Sequence, residues 1–479
     1  MRDCLLVCVS LGIALGAQTP APAAPNTAQF LFQQAKAGLE PIPEEDRPVV
    51  MSQIVGLELK VFPKQAIEDY KTLFQMALDL PPRGFNQYLK SQTELGSVIA
   101  LVRLQELEAA LALAQHGDVP RSNMYNWVLV RAAKQWPVAR TAALVQECAQ
   151  SGSFPYQAAL AVAKSSSDDV ITRDQLVRSI YKAAGNETNL INFGLTGGFE
   201  SLIGGHELAP QLDAELESAL VSFLTRTGSD SQPINASAAA KLMALLKQID
   251  ADKAQELEAR FPALVVAPPS PPTYGDVGSN GKFVQRPGTP PQIAAEDMAK
   301  TDPGGALTFA SGQASPLDRF HALVAVASAE ATTQPELARQ AAKEAAAMAG
   351  DDDFLKQSYN AATAASLALA EDKLGQHGDA RSLMAHLLDL ADQDAADYEQ
   401  LYRSLPLDPP DPGKAIGPQQ SQRFLASQMG FQPVQTSNAL GVYEAAAKLE
   451  FEIAAARVQK LPSEVLRPLA EAHVAAQMQ

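Results

Sequence analysis

Residues 97–115 read SVIALVRLQELEAALALAQ. Leu101, Leu104, Leu107 and Leu111 recur at steps of three and four, which is one face of an α-helix. The spacing predicts a single helix across the whole stretch. Its apolar residues are mainly Ala and Leu, a bias that holds along the chain and favours closely packed helices over sheet. No segment carries a convincing period-two alternation of Val, Ile and Thr, so the expected class is all-α.

The stretch that follows, residues 123–165, divides into three short helices. Pro137 and Pro155 stand where a first turn tolerates proline, and Gly152 lies just past an end. Tyr125 and Tyr156 open similar strings, YNWVLVRAAK and YQAALAVAK, 31 residues apart. A period of that size suits a stacked pair of helices, and antiparallel pairs stacked as an α-solenoid are the expected architecture. Helical text continues to residue 264, then gives way to VVAPPSPPTYGDVGSNGKFVQRPGTPPQ at 265–292. Proline forbids helix there, so the segment is expected to be a linker between a first block, 28–264, and a second, 293–479. In the second block, stops are expected at Thr332-Thr333, Gly350 and Gly378, with Asp351, Asp352 and Asp353 at an N-cap and first turn.

The tetrapeptide QHGD occurs at 115–118 and again at 376–379. A histidine and an aspartate so close raise the question of a catalytic or metal site, but neither copy has a nucleophile or third ligand nearby. Punctuation between helices accounts for every residue. In the second copy His377 is expected in a last turn, Gly378 as the left-handed residue that ends the helix, and Asp379 as the next N-cap. The stretch LGQHGDARSLMAHLLDLAD, 374–392, resembles the second half of a tetratricopeptide-type repeat, in which a Gly-Asp turn links two helices. That resemblance covers one helix pair and implies stacked helical hairpins that bind partners. Glu371 departs from it, standing where a small residue is usual.

The formal charge is -16, with -6 over residues 18–264 and -11 over 293–479. No Lys/Arg stripe interrupts the acidity, which argues against nucleic acid or an anionic bilayer as partner. MRDCLLVCVSLGIALGA, residues 1–17, pairs one arginine with a short apolar run and small residues, the pattern of a cleaved signal peptide. The run is too short for a permanent membrane anchor, so an exported chain, periplasmic or extracellular, is expected to begin with a disordered Pro/Ala-rich start at 18–27. Cleavage would leave Cys148 as the lone cysteine, and an intrachain disulfide would then be impossible.

Motifs that could carry chemistry are few. GGHELAP at 204–210 begins like a zinc-protease helix but has Pro210 where the second histidine belongs. His116, His206, His321, His377, His386 and His473 are scattered, and no cofactor or metal is expected. Acidic residues gather over 389–411. Asp389, Asp392, Asp394 and Asp397 are expected to form a solvated face with weak affinity for cations. The same acids leave open a second function, an α/α-type glycan hydrolase or lyase, since such enzymes need only two carboxylates. The leading functional candidates are Tyr125, Trp127, Trp136 and Tyr156. On stacked hairpins these rings either line a concave groove for a peptide or protein partner, or fill the space between hairpins. A non-catalytic exported scaffold that binds such a partner is the function the sequence favours.

Overall fold

The computed structural model describes residues 25–44, 46–80, 85–118, 121–188, 193–194, 196–229, 236–262, 290–357, 359–404 and 434–478. Residues 1–24, 265–289 of the expected linker, and 405–411 of the acidic segment lie outside the described residues, while 25–27, expected in the disordered start, open the first helix.

The described residues are helical and contain no strand. In the first part of the chain the helices are α1 (Pro25–Ala37), α2 (Arg47–Val61), α3 (Pro63–Asp79), α4 (Phe85–Arg103), α5 (Leu107–His116), α6 (Arg121–Ala132), α7 (Val138–Gln150), α8 (Tyr156–Ser165), α9 (Val170–Asn186), α10 (Gly198–Leu208), α11 (Asp213–Ser229), α12 (Ala236–Ile249) and α13 (Ala251–Arg260). The second part contains α14 (Pro291–Ala299), α15 (Pro303–Ser311), α16 (Pro316–Glu330), α17 (Pro335–Met348), α18 (Asp352–Leu355), α19 (Asn360–Lys373), α20 (His377–Ser404), α21 (Val434–Val458) and α22 (Leu466–Ala475).

The starts of these helices follow from local chemistry. Asp169, Asp250, Asp302, Ser315 and Asp351 each accept a hydrogen bond from a free N–H of the first turn. Pro63, Pro303, Pro316 and Pro335 occupy first-turn positions where the missing N–H costs nothing.

The helix expected over 97–115 is two helices. α4 ends at Arg103 and α5 begins at Leu107. At the break Gln105 N–H donates to the Val102 carbonyl at 3.1 Å and Glu106 N–H to the Leu101 carbonyl at 2.9 Å. This is a Schellman closure, and it requires a left-handed residue between the two donors. Gln105 supplies it with φ 64°, a conformation glycine normally takes. Because Leu101, Leu107 and Leu111 are buried on both sides of the break, the leucine spacing is satisfied without a continuous helix.

Most helices pack on their successors and, repeatedly, on the next but one: α4 on α6, α6 on α8, α8 on α10, and in the second part α14 on α16 and α19 on α21, while α16 reaches past two helices to α19. Side-chain volume differs between the two parts. Tyr156 meets Phe154 and Phe193 at ring-centroid distances of 4.9 Å each, and Phe193 meets Phe223 at 4.7 Å. In α17 the buried face is Ala338, Ala341, Ala342 and Ala345, which lets neighbouring backbones approach closely.

The two parts of the chain also meet at its ends. α1 packs on α22, and α2 packs on α22 as well. A Cβ at Gly38 would lie 2.8 Å from Pro468 Cγ, so glycine is what admits α22 there. Lys36 on α1 bonds Glu58 of α2 at 3.0 Å and Asp69 of α3 at 2.7 Å. Burial, then the Asp69 carboxylate, pushes Glu58 up to about 7. Asp46, ahead of α2, adds to the burial that raises the Tyr398 phenol on α20. Through α22, α1 and α2 the second part of the chain continues into the first.

Candidate functional site

The four aromatic candidates divide. Tyr125 and Tyr156 are both 0 % exposed. Tyr125 donates to Glu147 Oε1 at 2.8 Å, and burial holds its phenol well above the ordinary range. Their 31-residue echo is a packing repeat, echoed by a hydrogen bond between Ser122 and Ser153, and neither ring lines a groove. Trp136 is half-buried beneath Arg140, whose guanidinium carbon lies 3.9 Å from the ring centroid. Glu108 clamps that guanidinium with two bonds of 2.6 and 2.7 Å, so the ring is covered. Trp127 alone of the four is open, at 46 % exposure.

Trp127 lines a cavity of about 440 Å³ that crosses α4, α6 and the start of α8. That volume is within the range of ~300–1,000 Å³ usual for specific binding pockets. Val102, Val130 and Trp127 supply the apolar surface, and Val130 is 38 % exposed. Arg103, Arg131 and Lys134 supply three positive charges, and no Asp or Glu lines the cavity. Gln105, Asn126 and Gln157 complete it.

The sequence holds these groups in place through local means. Trp127, Val130, Arg131 and Lys134 follow at steps of three, one and three, so a single stripe of α6 and the turn after it presents them. Asn126 is buried and braces the site: its Oδ1 accepts from Ala158 N–H at 3.0 Å and its Nδ2 donates to the Thr196 carbonyl at 3.3 Å. Gln105 reaches across from the break between α4 and α5. In the amide orientation that satisfies its neighbours, its oxygen accepts from Arg131 Nη2 at 2.7 Å and Nε at 3.2 Å. Gln105 is the one described non-glycine residue with positive φ, and such residues concentrate at functional sites. Arg131 is thus aimed by a neutral side chain and keeps its charge free for a ligand.

The stripe at 127, 130, 131 and 134 was present in the sequence, whereas Arg103 and Gln105 join it only because α4 ends where it does.

The acidic candidates do not gather into one open face. Asp389 and Asp392 both bond Arg457, the latter at 2.7 Å. Asp394 is buried, and burial pushes its carboxyl up to about 6. Asp397 is exposed. Helical rotation separates Asp394 from Asp389 by about 140°, which explains why the run in sequence is not a cluster in space. Among the described residues no group of three or more His, Cys, Asp or Glu side chains is arranged to hold a metal ion.

The two QHGD copies are joints, with a correction of register. In the second copy the left-handed residue is Gly375, φ 81°, and α20 already begins at His377. His377 bonds Asp372 at 2.6 Å across the joint, and Asp379 lies in the first turn. Gly378 sits inside that turn, because the closure three residues earlier has already ended α19. In the first copy His116 caps the last turn of α5 through the Ala112 carbonyl at 2.7 Å. Gly117 is extended, φ -71°, and a Cβ there would stand 2.5 Å from Met124 Cε. Its backbone does not call for glycine; the ends of the Met124, Glu94 and Phe74 side chains fill the space beside it. His206 bonds Asp213 at 2.8 Å near the end of α10. Cys148 is buried, and burial pushes its thiol up to about 12, which leaves it unreactive at neutral pH.

No family model, no curated protein and no solved structure matches this chain. No described helix is long and apolar enough to cross a membrane.

Proposed function

We propose that this chain is an exported, non-catalytic α-solenoid that binds a protein or peptide partner through the groove on α4, α6 and α8. Packing of most helices on the next, and of several on the next but one, supports an array of antiparallel hairpins. Export rests on the signal-like residues 1–17. The observation that carries the binding role is an exposed tryptophan set among three cations with no lining carboxylate. An open tryptophan on a rigid helix is the kind of anchor around which interface energy concentrates. The second-block acids on which the glycan-hydrolase alternative rests do not gather into a facing pair: Asp389 and Asp392 bond Arg457, and Asp394 is buried away from them.

Pull-down from the native envelope fraction with the tagged chain should recover a stoichiometric partner. Trp127→Ala should lose it while leaving the circular dichroism spectrum unchanged. Equal recovery by both chains, or a chain that stays alone at native abundance, would overturn the reading.

A further inference from the structure

We infer that the groove takes an acidic peptide segment, with one apolar side chain against Trp127 and Val130 and carboxylates on Arg103, Arg131 and Lys134. The inference rests on the partner-binding reading above and names the chemistry of the occupant.

Charge decides the class. The chain holds 54 acidic residues against 38 basic, so a cation on its surface has acids in excess to pair with. Lys71, Arg140, Arg178 and Arg403 do so, each with a carboxylate within 3.4 Å. The groove departs from that pattern, because its three cations face a lining free of acid. Two are guanidiniums, whose paired N–H groups match a carboxylate's two oxygens. Gln105 orients Arg131 without neutralising it. A basic segment would meet like charge at three points. A long polyanion, whether nucleic acid or an anionic bilayer, would carry its charge past the groove onto the surface of a chain of net charge -16. A short acidic segment presents its carboxylates only where the cations stand. The cavity, at about 440 Å³, suits one large apolar side chain and its neighbours rather than an extended domain surface.

The probe is a dye-labelled octapeptide, Glu-Asp-Glu-Leu-Phe-Glu-Asp-Glu, titrated with the full mature chain and followed by fluorescence anisotropy. Its counterpart with Gln and Asn in place of the acids is titrated alongside, with an oligothymidylate and phosphatidylglycerol vesicles as polyanion arms. The acidic peptide should bind at least about tenfold more tightly than the neutral one, and the gap should narrow as salt rises. Arg103→Gln, Arg131→Gln and Lys134→Gln together should erase the difference, while Trp127→Ala should weaken both peptides by about tenfold or more. All four side chains are exposed or rim the groove, and a thermal melt confirms that each variant folds. Equal affinity for the two peptides with the Trp127 effect retained would overturn the acidic class and leave partner binding standing. Tighter binding of the oligonucleotide or the vesicles would overturn it in favour of a polyanion. If neither peptide binds, the acidic class is overturned, and the Trp127-dependent pull-down decides the broader reading independently.

Discussion

At Leu104-Gln105-Glu106 and at Leu374-Gly375-Gln376 the chain closes a helix with the same two hydrogen bonds. In the first joint they run from Gln105 to Val102 and from Glu106 to Leu101, and in the second from Gly375 to Asp372 and from Gln376 to Glu371. The left-handed residue has φ 64° in one and 81° in the other. Glycine at 375 takes that conformation freely, and a Cβ there would meet nothing within 4 Å. Glutamine at 105 takes it at a cost of about 1 kcal/mol. The return on that cost is a side chain at the rim of the groove, bonded to Arg131. The second joint has no such duty, yet it tolerates a buried carboxyl, Glu371, whose Oε2 has no hydrogen-bond partner. The first joint gives up stability for a placed amide; the second gives it up for a buried acid.

The largest way to sharpen that contrast is pH. Burial, and then the charge of Asp379, raise Glu371 to about 7 from an ordinary 4.5. Below 4.5 the carboxyl is neutral in both folded and unfolded chains and contributes nothing to the pH dependence. As pH climbs from 4.5 toward 7 the unfolded chain sheds the proton first, so the folded state loses stability across that window. Glu371→Gln removes this loss. Chemical denaturation should show it more stable than the parent by about 2 kcal/mol at pH 7.5 and nearly equal at pH 4. An equal difference at both pH values would mean that the ionised carboxylate is not what destabilises the joint.

Next in size is the swap that makes the second joint imitate the first. Gly375→Gln should cost about 1 kcal/mol, because the new side chain gains no partner while the backbone keeps its left-handed residue. The reverse swap should have the smallest effect on stability. Gln105→Gly trades relief of backbone strain against the entropy of glycine, and the melt should shift by less than about 1 kcal/mol. Its signature lies in binding: with Arg131 no longer held, affinity for the acidic octapeptide should fall a few-fold while the neutral peptide is unaffected. A Gln105→Gly chain that binds as well as the parent would remove the functional reason for the strained residue.

These joints also mark the limit of what could be read in the chain. Gly375 carries a turn residue's signature, although the QHGD that follows it drew the expected stop three residues too far. The break at Gln105 has no such mark, since Leu, Gln and Glu are all good helix formers. Leucines at 101, 104, 107 and 111 fit one uninterrupted face as well as two. The aromatic candidates were ambiguous for a related reason. Periodicity places Tyr125 and Trp127 on α6 two positions apart, about 200° around the helix, but it does not say which side is covered.

By itself the sequence determined the helical class, a few helix starts such as those at Pro137 and Pro155, and the capping role of Asp351. Each depends on residues within a turn or two, or on how apolar a face is, and those forces act locally. Tertiary structure alone decided that α1 lies on α22, that Tyr125 and Tyr156 are core while Trp127 is open, and that Arg103 and Gln105 converge with Arg131. Those outcomes depend on which faces of distant helices meet, and helical periodicity defines a face without naming its neighbour.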